Sequence, residues 1–332
     1  MRHYFILFTV LISLILYLSS CMFQEDVKDD QYASMATWQG SGPDKWASIW
    51  LVSRHIEPGL TVKILPEGTI DSRYTFFDVP EVPLNRDRDH STYQKLQTEF
   101  SLNDMDVQFI GRIIHDIDIR LWQGHQEGFS QVVEEGFRQM QANAGRDFVH
   151  PDCYMEFFDN VAEASKINSA QRQNILPQNL LPDTACQGKA LKTLLAGESL
   201  IAEIPIGDLL TSISTGTKVT FIDVREVDEY LEGHLPGAIH LTIRDTSEAT
   251  TQMLHHDGLL VPYCVKDFRG YEMAKKLKKM GFDNVAILSP YGLKGWLHTG
   301  LPLSYGEEKV TPEAQLAFNE CVNKSSKCAM KL

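Results

Sequence analysis

Basic side chains are scarce in this chain. Lys and Arg number 31 against 44 Asp and Glu, a formal net charge of −13. So acidic a protein repels nucleic acid and anionic lipid heads at long range, and neither is expected to bind its surface directly. Internal repeats and low-complexity tracts are absent, which excludes a repeat array. The apolar run Tyr4 to Leu18 is short for a full membrane span. Cysteine is sparse, with six in 332 residues. What remains is a chain of ordinary globular composition, long enough for about two domains.

The first residues carry an address. Arg2 is the sole Lys or Arg before Cys21, the apolar run follows it, and the small residues Ser19 and Ser20 precede Cys21. This is the charged, apolar, small-residue layout of an export signal. Leu18-Ser19-Ser20-Cys21 resembles a bacterial lipobox. That resemblance implies a signal peptide over 1–20, a lipidated Cys21 and an envelope protein facing the periplasm. Residues 21–43 then read as a tether, because Gln24 to Ser41 is polar and acidic. In an oxidising compartment the even set Cys153, Cys186, Cys321 and Cys328 suggests disulfides. Three pairings are open. Nearness in sequence favours Cys321 with Cys328, and four buried thiols are the alternative.

Residues 44–145 read as one helix-rich α/β unit. Trp50 to Val52, Val62 to Leu65 and Thr75 to Val79 look like short strands. Ser91 with Gln94 three residues on is a capping-box pattern. Val107, Ile110, Ile114, Ile117 and Leu121 make one helical stripe, and Phe129, Val132, Val133, Phe137 and Met140 another. Residues 146–200 read as linker and connecting helices, with Asn168 to Thr184 the polar, proline-containing part that protease should reach first. From 201 to 305 strand and helix alternate, which implies a parallel sheet with flanking helices. Residues 306–332 form a tail of helical spacing, expected to pack back onto the body.

Cys264 follows the strand Leu259 to Tyr263 directly and precedes a helix that starts near Arg269. A thiol there lies beneath unpaired backbone N–H groups at the positive end of a helix dipole. With Lys266 and Arg269 beside it, its pKa should fall, favouring a nucleophilic thiolate and an anionic persulfide.

These residues resemble the rhodanese (sulfurtransferase) superfamily. The matching pieces are Asp223-Val224-Arg225-Glu226, Gly233-His234-Leu235-Pro236-Gly237-Ala238 and the loop from Cys264 to Arg269, closed by Gly292, Trp296, Gly300 and Pro302. The resemblance implies Cys264 and Arg269 as catalytic residues and an anion-binding loop of Val265, Lys266, Asp267, Phe268 and Gly270. It implies supporting roles for Asp223, Arg225 and His234. Four residues between Cys264 and Arg269 is the spacing of sulfur-handling members; those that handle phosphate or arsenate carry one more. The loop departs from the family at Val265, Asp267 and Phe268. Asp267 would repel thiosulfate if it faced the pocket, and Pro262 removes one ladder hydrogen bond.

The first unit resembles the chromate resistance protein family, in its ChrB-type C-terminal domain. The likeness rests on Trp50-Leu51-Val52-Ser53-Arg54, Phe77-Asp78-Val79-Pro80 and Ile113 to Asp118. Ser48 and Ser91 stand where that family often has cysteines, so thiol chemistry is not expected here. His115 and Asp118 lie three apart on a helix and could join Arg54 in a polar site for an oxyanion, or simply be paired at the helix surface. They are too few to specify a metal, and no metal or cofactor is expected. Two functions follow from these readings. One is an envelope-anchored sulfurtransferase with a persulfide on Cys264, partnered by a sulfane-sulfur donor and a thiol acceptor. The other is a non-catalytic rhodanese-like binding or sensor module in the response to oxyanion (chromate) stress.

Overall fold

The computed structural model describes residues 34–80, 82–119, 128–183, 186 and 201–323. The signal peptide, Cys21, Leu121 and Cys328 lie outside them. Among the described residues, no helix is long and apolar enough to cross a membrane.

The first unit is built on a parallel sheet in the order β2-β1-β3, with β1 Met35–Trp38, β2 Lys63–Leu65 and β3 Thr75–Phe76. Its central strand corrects the tether reading, which ran to residue 43. Met35, Ala36 and Thr37 are buried. Four residues flanked by polar sequence are too short to show a period, and pairing on both sides holds them. The expected strand at Trp50 is also corrected. It belongs to α1, Pro43–Leu51, which runs on into a π-helical turn, Val52–Ile56. Every residue from Trp46 to Val52 is buried, so the segment shows neither a two-residue nor a 3.6-residue period, and periodicity cannot decide. Pro43 at the first turn marks the helix start instead.

Three further helices follow: α2 Thr92–Glu99, α3 Met105–Asp118 and α4 Ser130–Ala144. The capping box at Ser91 and Gln94 is formed in both directions, at 3.1 Å each way. The stripes of α3 and α4 fill the core. That core does not end at residue 145. Helix α5, Pro151–Ser165, adds Cys153, Tyr154, Phe157, Phe158 and Val161 to it, and Trp46 stacks on Tyr154 at 4.1 Å between ring centroids. The stretch read as an open linker is tied down as well. After a short helix, α6 Ser169–Arg172, Leu180 is buried in the same core and Cys186 is bonded to Cys153. Cys321 is also disulfide-bonded. The Cys153–Cys186 bridge closes a loop 33 residues apart in sequence. Cys186→Ser should therefore lower the unfolding free energy by roughly 2–4 kcal/mol relative to oxidised wild type, measured by denaturant titration.

The second unit contains β4 Ala202–Pro205, α7 Ile206–Ser214, β5 Val219–Asp223, α8 Val227–Leu231, β6 Ile239–His240, α9 Glu248–Thr251, β7 Leu259–Tyr263, α10 Phe268–Lys279, β8 Ala286–Ser289, α11 Gly292–His298 and α12 Pro312–Asn323. All paired strands run parallel, in the orders β6-β5-β7 and β4-β8. A lone bridge, Leu260 to Val285, joins the two ladders. Pro262, which has no N–H to donate, sits two residues further along β7 and explains why pairing with β8 stops there. Helix α12 packs back as expected: Phe318 meets Phe221 and the fully buried Trp296. The protein is thus mixed α/β, a helix-rich unit followed by a parallel-sheet unit.

Candidate functional site

Cys264 stands at the end of β7, and its loop leads into α10. The loop is fixed in shape by its neighbours. Leu293 and Lys294, at the start of α11, donate backbone N–H groups to the carbonyls of Cys264 and Val265, each at 2.9 Å. Gly292 makes this approach possible: its φ is +56°, and a Cβ there would lie 1.6 Å from the Lys266 carbonyl oxygen. Gly270 serves the same end on the other side, where a Cβ would come within 3.0 Å of the β7 backbone.

Arg269 turns back from α10 to α8 and forms a two-pronged pair with Glu229, at 2.9 and 3.0 Å. Burial alone would raise the Glu229 carboxyl, but the charge and hydrogen bonds of Arg269 outweigh it and pull the group down to about 2, from an ordinary 4.5. Such a group stabilises the fold above the ordinary carboxylate range and loses that contribution as pH falls towards 2. The difference is roughly 3 kcal/mol. Acid titration of stability should therefore flatten in Glu229→Gln relative to wild type between about pH 4.5 and 2.

Behind the loop, Asp223 and Arg225 form a fully buried pair. Tyr263 donates its hydroxyl to Asp223 at 2.8 Å, and Arg225 reaches the Gly233 carbonyl at 2.6 Å. His234 bridges the Tyr230 and Glu308 carbonyls and stacks on the Tyr230 ring at 3.8 Å. These three residues tie β5, the 233–238 turn and the segment before α12 together behind the thiol. None of their hydrogen bonds reaches it.

The loop's other side chains face the first unit. Asp267 is 1% exposed and lies between Arg138 and Arg146, at 2.6 and 2.5 Å. Burial would raise its carboxyl, and the two guanidinium groups hold it below the usual range. Lys266 pairs with Glu134 of α4. Phe268 enters the first unit's core, edge-on to Phe137 at 5.9 Å, with Arg138 over its ring at 4.4 Å. Around this seam Tyr271 and Lys275 reach Asp147, and Ser41 bonds Glu272. The expectation that Asp267 would repel an anionic donor if it faced the pocket is therefore corrected: both of its carboxylate oxygens are bound by arginines of the first unit. The departures from the family pattern at Asp267 and Phe268 are contacts to the first unit.

The thiol differs from expectation as well. Cys264 is 2% exposed. Burial pushes its pKa up, and the pull of Arg269 and of the Gly270 N–H does not offset it; Asp267 and Asp118 push the same way. Of the groups expected to lower the pKa, Arg269 and the Gly270 N–H do act on the thiol, whereas Lys266 is paired with Glu134; desolvation outweighs those that act.

The trio Arg54, His115 and Asp118 is not brought together. Arg54 is drawn to Asp159 on α5, at 2.8 and 3.0 Å. His115 meets Gln94 at 2.9 Å, and Asp118 pairs with Arg86. Pairing sends each to a different neighbour. Among the described residues no cluster of three metal-ligating side chains occurs. Residues that the sequence did not single out complete the surroundings of the loop: Glu229, Glu134, Arg138, Arg146 and Arg86. The alternating charges Arg86-Asp87-Arg88-Asp89 were the one local signal; Arg88 pairs with Glu232 next to α8.

Comparison with known proteins assigns each unit to a family. Residues 35–165 match the family model "ChrB, C-terminal domain" and residues 207–299 match "Rhodanese-like domain". This match, with a sulfurtransferase relative 31% identical and covered over 90% of its length, places the chain in the rhodanese-like family. It is 31% identical over 96 residues to "Putative sulfurtransferase YtwF" of Bacillus subtilis, covering 29% of this chain and 90% of that protein. It is 26% identical over 121 residues to "Putative sulfur carrier protein YrkF" of the same organism, covering 34% of this chain and 64% of that one. Among solved structures, it resembles the BH2092 protein of Bacillus halodurans at 26% identity and a TM-score of 0.29, covering 35% of this chain and 85% of that chain.

Proposed function

We propose that the protein is a rhodanese-type sulfurtransferase in which Cys264 carries the transferred sulfur as a persulfide and the chromate-resistance-like unit covers the thiol loop. The observation that carries this reading is the placement of Cys264 between β7 and α10, where Arg269 and the Gly270 N–H act on it. With thiosulfate as donor, the Cys264 thiolate attacks the outer sulfur, a new sulfur–sulfur bond forms on Sγ, and sulfite leaves with the electron pair of the broken bond. An acceptor thiolate then attacks the terminal sulfur and returns Cys264 as thiolate. Arg269 cannot act as a base, because a guanidinium stays protonated. It fixes the loop and favours the anionic sulfur.

The Leu18-Ser19-Ser20-Cys21 layout supports a lipid anchor in the bacterial envelope, and the Cys153–Cys186 bridge suits an oxidising compartment. A binding or sensing role without turnover is the second reading, favoured by the burial of the thiol. Sulfite release from thiosulfate in the presence of cyanide or a small thiol separates the two. Turnover in wild type that disappears in Cys264→Ser supports transfer. No turnover with any donor and acceptor, from protein whose thiol is reduced, leaves the binding role.

A further inference from the structure

We propose that Arg86 of the first unit is part of the sulfur-transfer site and holds the negatively charged end of a small anionic substrate as it reacts at Cys264. This rests on the reading above and adds a residue of the first unit to the site that takes the anionic donor.

The segment bearing Arg86 lies against the second unit. Arg88, two residues on, pairs with Glu232 and with Asp228 of α8, the helix that carries Glu229. Arg86 itself donates from one terminal nitrogen to the Asp118 carboxylate and from the other to the Asp118 carbonyl. Across the seam, Arg269 uses both terminal nitrogens on Glu229. The two guanidinium groups are thus engaged alike, each by one acidic residue. Each also keeps a buried Nε–H with no hydrogen-bond partner among the described residues. A buried donor without an acceptor is unfavourable, and a ligand oxygen relieves it.

The charges of the two pairs reach each other and the thiol. After burial and Arg269, Asp118 is among the groups felt by Cys264, and Arg86 among those felt by Glu229. Asp118 also acts on Arg269. Two arginine–carboxylate pairs, one from each unit, are thus placed on either side of the seam that Arg88 ties to α8, and one member of each acts on the Cys264 charge. Each pair is neutral by itself, so a free carboxylate or sulfonate meets spare N–H donors without net repulsion. A cationic or wholly apolar substrate finds no counterpart in them.

The test is alkylation of Cys264 in the full chain by iodoacetate and by iodoacetamide. The two reagents share size and reaction, thiolate displacing iodide, and differ in charge. Neither needs sulfur transfer, so the outcome is independent of whether the protein is a sulfurtransferase. Arg86→Gln should lower the iodoacetate-to-iodoacetamide rate ratio about tenfold, the scale of one charge-assisted hydrogen bond. Arg86→Lys should keep part of the preference. Asp118→Asn should move the ratio the other way, because it leaves Arg86 uncompensated. General damage to the fold would shift both variants in one direction. If Arg86→Gln does not fold, Asp118→Asn carries the test alone. A ratio that stays within about twofold of wild type in every folded variant overturns the proposal.

Discussion

Replacing Arg138 and Arg146 together by Ala should uncover Cys264 and destabilise the protein by roughly 3–5 kcal/mol, the effect of stripping the partners from a buried charge. Asp267 is the reason. It is 1% exposed, and both of its oxygens are held by these two arginines. Without them its carboxylate is buried with no counter-charge, and separating the two units is the simplest way to hydrate it. Phe268 then leaves the first core, and water reaches the loop. Two readouts follow. The rate of Cys264 alkylation by neutral iodoacetamide should rise at least about tenfold, because local opening exposes the thiol and lifts the desolvation that raises its pKa. Adding Asp267→Asn in the same chain should restore much of the lost stability, because a neutral amide tolerates burial better than a carboxylate. If the double variant keeps wild-type stability and labelling, the seam does not control the thiol.

Arg269→Ala should be the most damaging single change at the site. Glu229 loses the partner that holds its carboxyl down at about 2. Leaving one half of a buried pair behind costs roughly 3–5 kcal/mol. The thiol loses the strongest of the influences that oppose its burial, so its pKa should climb further. Arg269→Lys retains the charge but not the planar fork, and should keep part of both stability and reactivity. The double variant Arg269→Ala with Glu229→Gln separates the two effects. It should recover stability, because no lone carboxylate remains, while the thiol stays unreactive. Recovery of both would mean that Arg269 matters only through the fold.

Much of the second unit was legible in the sequence because its chemistry is local. The strand-to-helix position of Cys264, its four-residue interval to Arg269 and the flanking Asp223 and His234 segments are set by neighbours in the chain. The capping box at Ser91 and the stripes of α3 and α4 were legible for the same reason. What could not be read depends on partners far along the chain. Asp267 gives no hint that Arg138 and Arg146, 129 and 121 residues away, neutralise it. Nor does the strand-to-helix position of Cys264 reveal that another unit will cover the loop and raise the thiol pKa. Trp50 to Val52 misled for a different reason. A segment buried on every side carries no period, so a helix and a strand look alike there. Residues 35–38 failed through brevity, being one short strand whose neighbours in the sheet lie well downstream.

The central claim is that Cys264 carries sulfur, and intact-protein mass spectrometry tests it most directly. Reduced full-length protein is incubated with thiosulfate or another sulfane-sulfur donor, then measured before any acceptor is added. The account predicts a mass gain of one sulfur atom in wild type, removed by a thiol acceptor and absent in Cys264→Ser. A wild-type mass that does not change with any donor, or a gain that persists in Cys264→Ser, would contradict it.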